Sequence, residues 1–139
     1  MSPDYALVPR DEVDAFVAAS VATFAKLYGE RFRASDDYTS VIDDRHLARI
    51  ADVLADAAAR GAKIVACAPY TRERDGRRMP LHIVTRCTPD MRIMQEELFG
   101  PILPVIGYGQ LDEAINLINA GDRPLALYCF GHDAIARER

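Results

Sequence analysis

The chain has 139 residues, 50% of them hydrophobic and 27% charged, with a formal net charge of −4. That length suits one compact domain that buries a core without disulfides or metals. The acidic balance argues against a nucleic-acid-binding protein, which usually carries a basic face, and no apolar run approaches the roughly 20 residues of a membrane span.

The first half of the chain predicts a strand followed by two helices. A short apolar run at 4–8, closed by Pro9, predicts the strand. At 11–28 apolar residues recur at three- and four-residue spacing, which is typical of an amphipathic helix, and Gly29 suits its end. A second helix begins at Asp43 or Asp44 and runs to Arg60. Its predicted apolar stripe consists of Leu47, Ile50, Ala51, Leu54 and Ala58.

The second half alternates short strands with helices. We predict strands at 63–66, 81–85, 102–108 and 125–130, a helix at 111–121 and the start of another at Asp133. Pro104 cannot donate a ladder hydrogen bond and favours an edge strand or a bulge. This alternation predicts an α/β fold, a layered domain with a largely parallel sheet and right-handed crossovers.

The pattern is already under way at the first residues and is still helical at Arg139. We therefore expect a domain truncated at both ends. Strand edges and apolar faces left uncovered by truncation would favour contacts between copies of the chain. The sequence thus predicts a homo-oligomer.

The three cysteines are widely spaced and odd in number, which favours neither a disulfide framework nor a metal site. We interpret Cys67, Cys87 and Cys129 as buried, reduced thiols of a cytoplasmic protein, with Cys129 inside an apolar strand. The signatures of phosphate-binding glycine loops, zinc proteases and nucleophilic serines do not occur. From these patterns we predict no metal site and no catalytic residue.

Isolated histidines and one group of arginines leave two interpretations open. Because the histidines at 46, 82 and 132 stand alone in sequence, a surface or core role is favoured over ligation or catalysis. The arginines at 72, 74, 77 and 78 are interrupted by Glu73 and Asp75. A solvated loop is the preferred interpretation of that group, and a phosphate site is the alternative.

The segment 96–101, Glu-Glu-Leu-Phe-Gly-Pro, combines carboxylates with an aromatic ring at a rigid corner. Gly100 permits a close approach or a positive φ, and Pro101 fixes the backbone that follows. Such a carboxylate could bind ribose hydroxyls while the ring packs on a flat heterocycle. The alternative is a helix end with a solvated pair of glutamates and a core phenylalanine.

The longer segment 94–104, which contains these six residues, resembles the aldehyde dehydrogenase signature usually written EEIFGP. The resemblance continues in Asp-Glu-Ala-Ile at 112–115, in Asn119 and in Pro-Leu-Ala-Leu-Tyr at 124–128. The last of these, with residues 38–46, is similar to the class 3-like branch that includes coniferyl aldehyde dehydrogenases. The resemblance implies a partial aldehyde dehydrogenase catalytic domain over residues 1–139.

The resemblance also implies a reaction and a cofactor. Family members oxidise small-molecule aldehydes to carboxylic acids with NAD or NADP, through a cysteine nucleophile. The second glutamate of the signature binds the nicotinamide-side ribose and the phenylalanine lines the nicotinamide ring, which implies these roles for Glu97 and Phe99. Leu98 replaces the commoner isoleucine, a volume-conserving change.

Residues 3–5, Pro-Asp-Tyr, resemble the stretch that follows the family's nucleophilic cysteine, with Ser2 in place of an alanine. By that match the cysteine would lie one position before Met1. We therefore expect this chain to lack it and to be inactive alone. Two alternatives stay open: a non-enzymatic remnant of an aldehyde dehydrogenase, and an unrelated small α/β binding or interaction module.

Overall fold

Helices cover both faces of a four-stranded sheet in the computed structural model of the chain, which describes residues 3–131 except for the Glu30 side chain. The strands are β1 (Ala6–Pro9), β2 (Lys63–Ala66), β3 (His82–Thr85) and β4 (Ile102–Tyr108). The helices are α1 (Val13–Leu27), α2 (Asp44–Ala59), α3 (Arg72–Asp75) and α4 (Leu111–Ala120). Three short 3-10 turns lie at Arg10–Glu12, Gly29–Arg33 and Arg92–Met94.

The strand order is β1-β4-β3-β2. The central pair β3–β4 is parallel, with His82 opposite Ile102, and β2 joins the edge antiparallel to β3, with Lys63 opposite Thr85. The predicted α/β fold class is confirmed. The antiparallel edge strand is a feature that the alternation of strands and helices does not indicate.

Consecutive residues of β3 belong to two different cores because strand side chains alternate between faces. Val84 is buried among the residues of α2, together with Met91, Ile93 and Leu98. Ile83 is buried on the other side, among residues that α1 and β1 supply. The sheet is therefore the middle of three layers, between α1 and α2.

The buried face of α2 is rotated from the predicted one. Leu47 and Ile50 are buried as expected, but the other buried positions are Val53 and Ala57, and Ala51 and Ala58 are exposed. The alanines are compatible with either face, so the larger Val53 decides which one is buried. The cap is as predicted, since Asp43 accepts a hydrogen bond from the His46 backbone N–H at 2.6 Å.

Pro104 lies in an inner strand, so its predicted placement at an edge or bulge is wrong. It stands opposite Val84 in the parallel pair, and its side chain is almost completely buried. Packing of the ring in the core compensates for one missing ladder donor at this position.

The chain divides into two compact units, Met1–Gly107 and Tyr108–Arg139. In the second unit, α4 forms as predicted, and Gly109 N–H donates to Glu113 Oε2 at 2.9 Å. The strand predicted at 125–130 does not form, and all of its residues are exposed. An apolar run specifies a strand only where a neighbouring strand pairs with it, and none pairs with this run among residues 3–131. The helix predicted from Asp133 lies outside the described residues.

None of the helices within 3–131 combines the length and the apolar character needed to cross a membrane.

Candidate functional site

The segment 96–100, here called the site loop, follows the last 3-10 turn and precedes β4. Leu98 is 2% exposed and packs in the α2 core, whereas Phe99 is 75% exposed and Glu97 is also exposed. Burial of the leucine between them turns the carboxylate and the ring outward. The alternative interpretation of a core phenylalanine is therefore wrong.

Side chains bind the backbone of the site loop, which lies outside any helix or strand. Arg49 Nη2 donates to the carbonyl oxygens of Glu97 at 3.1 Å and Leu98 at 2.6 Å. His46 Nε2 lies 2.8 Å from the carbonyl oxygen of Phe99. The Leu98 N–H donates to Asp4 Oδ1 at 3.2 Å. These bonds replace the ladder partners that regular structure would supply.

One face of α2 provides most of this support. His46, Arg49 and Ile50 stand at positions i, i+3 and i+4, which share a helix face. The two polar residues of the set are half-buried and contact the site loop, while Ile50 is 1% exposed in the core. The α2 face thus joins the core to the loop.

Glu96 anchors the beginning of the site loop. Its Oε1 accepts from Arg92 Nε at 2.8 Å, and its Oε2 accepts from Arg49 Nη1 at 2.8 Å. Hydrogen bonds from Arg92, and then from Arg49, lower the pKa of the Glu96 carboxyl below its usual value. The first glutamate of the pair is thereby occupied within the protein, and Glu97 is the one whose carboxylate is exposed.

The end of the site loop has an unusual backbone. Phe99 has a φ of 47°, in the left-handed region that bulky residues seldom adopt. At Gly100, a Cβ atom would stand 2.4 Å from Ile50 Cδ1. Gly100 therefore allows a close approach to α2 and does not serve to provide a positive φ.

This arrangement suits one half of a nucleotide. A carboxylate accepts two hydroxyl donors, as a ribose diol offers, and an exposed aromatic face packs on a flat heterocycle. Both groups project from one loop whose backbone is fixed at four points. Among residues 3–131 no group of three or more histidine, cysteine or acidic side chains is placed to hold a metal ion.

The cysteines differ in their surroundings. Burial raises the pKa of the Cys67 thiol, and burial raises that of Cys87 to about 11. Both thiols are therefore protonated at neutral pH and poor nucleophiles. Cys129 is exposed, so its prediction as a core thiol is wrong. The reason is the missing strand at 125–130, which leaves this residue without a core to enter.

Two of the histidines have defined places. His82 is 8% exposed, and its Nδ1 donates to the Pro80 carbonyl at 2.7 Å. It borders a cavity of about 250 Å³ beside Leu47 and Tyr70, and its core role is as predicted. His46 contacts the site loop, a role that its position alone in sequence does not reveal. His132 lies outside the described residues.

Arginines 77 and 78 bind protein groups. Arg77 donates to the carbonyl oxygens of Val41 and Ile42, and Arg78 donates to that of Ser35 at 2.6 Å. They fasten the irregular segment before α2 to the loop before β3. Both are half-buried and structural, so for these two arginines the predicted solvated loop is wrong, and their bonds also argue against the alternative of a phosphate site.

The chain is similar to known proteins over almost its whole length. The family model described as "Aldehyde dehydrogenase family" matches residues 1–138. The chain is 40% identical over 142 residues to the "Probable coniferyl aldehyde dehydrogenase" of Caulobacter vibrioides, covering 100% of this chain and 29% of that protein. It is 40% identical over 135 residues to "Aldehyde dehydrogenase family 3 member A2" of Rattus norvegicus, covering 96% and 26%. The expected resemblance to the class 3-like branch and its coniferyl aldehyde dehydrogenases is confirmed.

Solved structures show the same fold. The substrate-bound AldH of Staphylococcus aureus superimposes with a TM-score of 0.86 at 35% identity, over 98% of this chain and 29% of that one. The NADP complex of the NADP-dependent glyceraldehyde-3-phosphate dehydrogenase of Bacillus halodurans gives a TM-score of 0.67 at 29% identity, over 84% and 24%. The chain thus spans less than a third of the length of these relatives. It belongs to the aldehyde dehydrogenase family.

Proposed function

We propose that this chain supplies the nicotinamide-side ribose contact of an NAD- or NADP-dependent aldehyde dehydrogenase. Glu97 accepts hydrogen bonds from the ribose hydroxyls, and Phe99 packs against the nicotinamide ring. The observation that carries the proposal is the exposure of both side chains on a loop whose intervening residue, Leu98, is buried. The NADP bound to a structural relative supports the choice of cofactor class.

The reaction that we propose for the whole enzyme is oxidation of an aldehyde to a carboxylic acid. Bound NAD or NADP would supply the hydride acceptor for this oxidation, and water would supply the second oxygen of the acid. Coniferyl aldehyde or another aromatic aldehyde is the proposed substrate, on the basis of similarity to coniferyl aldehyde dehydrogenases. The residues of this chain bind and orient the cofactor within a partial catalytic domain. We further propose that the enzyme is a cytoplasmic homo-oligomer.

Binding of oxidised nicotinamide mononucleotide tests the proposal, because that molecule is the half that Glu97 and Phe99 would contact. We expect shifts of the site-loop amide signals in an NMR titration. Glu97→Gln should weaken binding by about tenfold or more, since hydrogen bonds to a charged group contribute roughly 1.5–3 kcal/mol. Phe99→Ala should weaken it as well.

The matched control is Glu12→Gln, which removes one exposed carboxylate far along the sequence from the site loop. It should leave the affinity unchanged. Adenosine monophosphate, the other half of the cofactor, should not shift the site-loop signals. Equal affinity of the wild-type, Glu97→Gln and Phe99→Ala chains would reject the proposed contact and favour the alternative of an interaction module, to which the exposed apolar residues at 125–130 are suited.

We propose that the chain alone does not oxidise aldehydes, because none of its three cysteines lies in a motif that resembles the family's nucleophile, and the Cys67 and Cys87 thiols are protonated. An assay of NADH or NADPH formation with an aromatic aldehyde should show no turnover by the purified chain. Loss of a covalent nucleophile costs on the order of 10⁶-fold in kcat. Turnover that disappears on substitution of Cys129, the exposed thiol, would overturn this expectation.

A further inference from the structure

The site loop carries its exposed groups on a conformation that needs external support. A positive φ at a bulky residue is energetically unfavourable and persists only where the surroundings determine it. Phe99 has such a φ, and no helix or strand includes it. Something outside the loop therefore holds it.

We infer that His46 and Arg49 are positioning residues, which hold the backbone of the site loop and so orient Glu97 and Phe99 toward the cofactor. The inference rests on the proposed function. Neither side chain touches the cofactor itself in this proposal, because both donate to backbone carbonyl oxygens of the loop.

The chemistry of the two side chains matches this task. A carbonyl oxygen only accepts hydrogen bonds, so the His46 Nε2 must carry a hydrogen to bind Phe99 O. Arg49 uses one planar guanidinium to reach Glu96 through Nη1 and two successive carbonyl oxygens through Nη2. A lysine has a single point of charge and cannot make these three bonds with the same geometry.

The placement of both residues on a packed helix makes the support rigid. α2 is capped by Asp43 and has four buried residues on its core face. Ile50, one position beyond Arg49, lies against Gly100 with no room for a Cβ atom between them. A shift of the loop relative to α2 would therefore break hydrogen bonds and tight packing together.

The test measures the conformation of the site loop and the affinity for the cofactor half separately in the full chain. A strong intraresidue amide–Hα NOE reports the positive φ of Phe99 without any ligand. We expect His46→Leu and Arg49→Lys to weaken that NOE and to lower the affinity for oxidised nicotinamide mononucleotide by roughly fivefold, the factor that one net hydrogen bond provides. His46→Gln, which keeps an N–H donor, should restore part of both.

Arg45→Lys is the matched control, because Arg45 lies on the same helix and is exposed. It should change neither the NOE nor the affinity. Circular dichroism melts identify any variant that has lost α2, and the His46→Gln and Arg49→Lys chains keep the question answerable if His46→Leu unfolds.

Unchanged NOE and affinity in folded His46→Leu and Arg49→Lys chains would overturn the inference. A wild-type chain that shows the NOE, loses it in both variants, and binds no mononucleotide would reject the proposed cofactor contact alone. In that case the support of the loop by α2 stands as a structural result.

Discussion

At the scale of single residues, His82 links folding to pH. Burial lowers the pKa of His82 below the ordinary histidine value of 6.5, and the bond to the Pro80 carbonyl opposes that shift only in part. The folded chain therefore binds this proton less readily than the unfolded chain does. By linkage, the contribution of His82 to stability is fully present above pH 6.5 and is lost as the pH falls below it.

We predict that His82→Gln flattens this pH dependence. The amide keeps an N–H for the Pro80 carbonyl but does not titrate between pH 5 and 7. Urea denaturation across that range should show a wild-type slope of up to about 1.4 kcal/mol per pH unit, the limit for one proton. The difference between the two chains in the pH dependence of the free energy of unfolding gives the contribution of His82, because the other groups titrate in both. Parallel pH profiles would contradict the assignment.

Single residues also show how much of the site geometry the sequence could predict. Glu97 and Phe99 are exposed, as a ligand contact requires, and their cofactor role stays a prediction. The contribution of His46 and Arg49 was not predictable, because hydrogen bonds to backbone carbonyls leave no local motif. Only the spacing of three between them, directly after a helix cap, hints at a shared polar face.

At the scale of elements, the close contact between α2 and the site loop depends on the lack of a Cβ atom at Gly100. We predict that Gly100→Ala destabilises the chain by about 1–3 kcal/mol, because its Cβ would collide with the buried Ile50. Ile50→Val removes the Cδ1 atom and should cost about 0.5–1.5 kcal/mol alone. The double variant should then be more stable than the sum of the two effects implies.

A double-mutant cycle from urea denaturation measures this coupling. Gly121→Ala is a suitable control, because the nearest atom to a Cβ there is 3.8 Å away. Additive effects of the Gly100 and Ile50 substitutions would mean that the loop and the helix are not in tight contact.

Elements were predictable where local pattern suffices. The periodicity of α1 and the cap of α2 depend only on residues close together in sequence, and both helices form close to their predicted bounds. The core face of α2 was not predictable, since alanines on both sides blur the apolar stripe. The placement of Pro104 was wrongly predicted for a different reason. Its buried ring packs in an inner strand, and packing there outweighs the loss of a ladder donor.

At the scale of the whole molecule, the apolar residues at 125–130 are exposed. Leu125, Leu127, Tyr128 and Phe130 are 94%, 68%, 58% and 92% exposed. An exposed apolar segment of this kind tends to bury itself against another protein surface. The same sequence predicts a strand, whose backbone groups would pair with a strand edge of a second copy.

We predict that the purified chain self-associates. Sedimentation velocity over a dilution series should show a concentration-dependent dimer or larger species. Paired Leu125→Ser and Phe130→Ser substitutions should shift it toward monomer. Leu27→Ser changes one isolated apolar side chain, at a 65% exposed position on α1, and serves as the control. It should leave the association unchanged. A wild-type monomer at every concentration would refute the expected association.

The strand predicted at 125–130 does not form, for a reason that concerns the whole molecule and not the segment alone. A helix satisfies its backbone hydrogen bonds internally, whereas a strand requires a partner that its own sequence does not encode. The same principle explains why the antiparallel edge of the sheet was missed. Local patterns therefore predicted every helix of more than one turn in residues 3–131, and predicted strands reliably only where another strand lies beside them.

The strand order has a consequence for how the chain acquires its native form. β1 lies beside β4, and the Leu98–Asp4 hydrogen bond joins residues 94 apart in sequence. Closing a loop of that length carries an entropic cost that must be met before the contact forms, and such topologies fold slowly. Because Asp4 is synthesised 94 residues before Leu98, this bond can form only after the site loop has been made and has folded back onto the first residues of the fold. The proposed cofactor contact depends on the conformation of that loop, so we expect it to form late in folding.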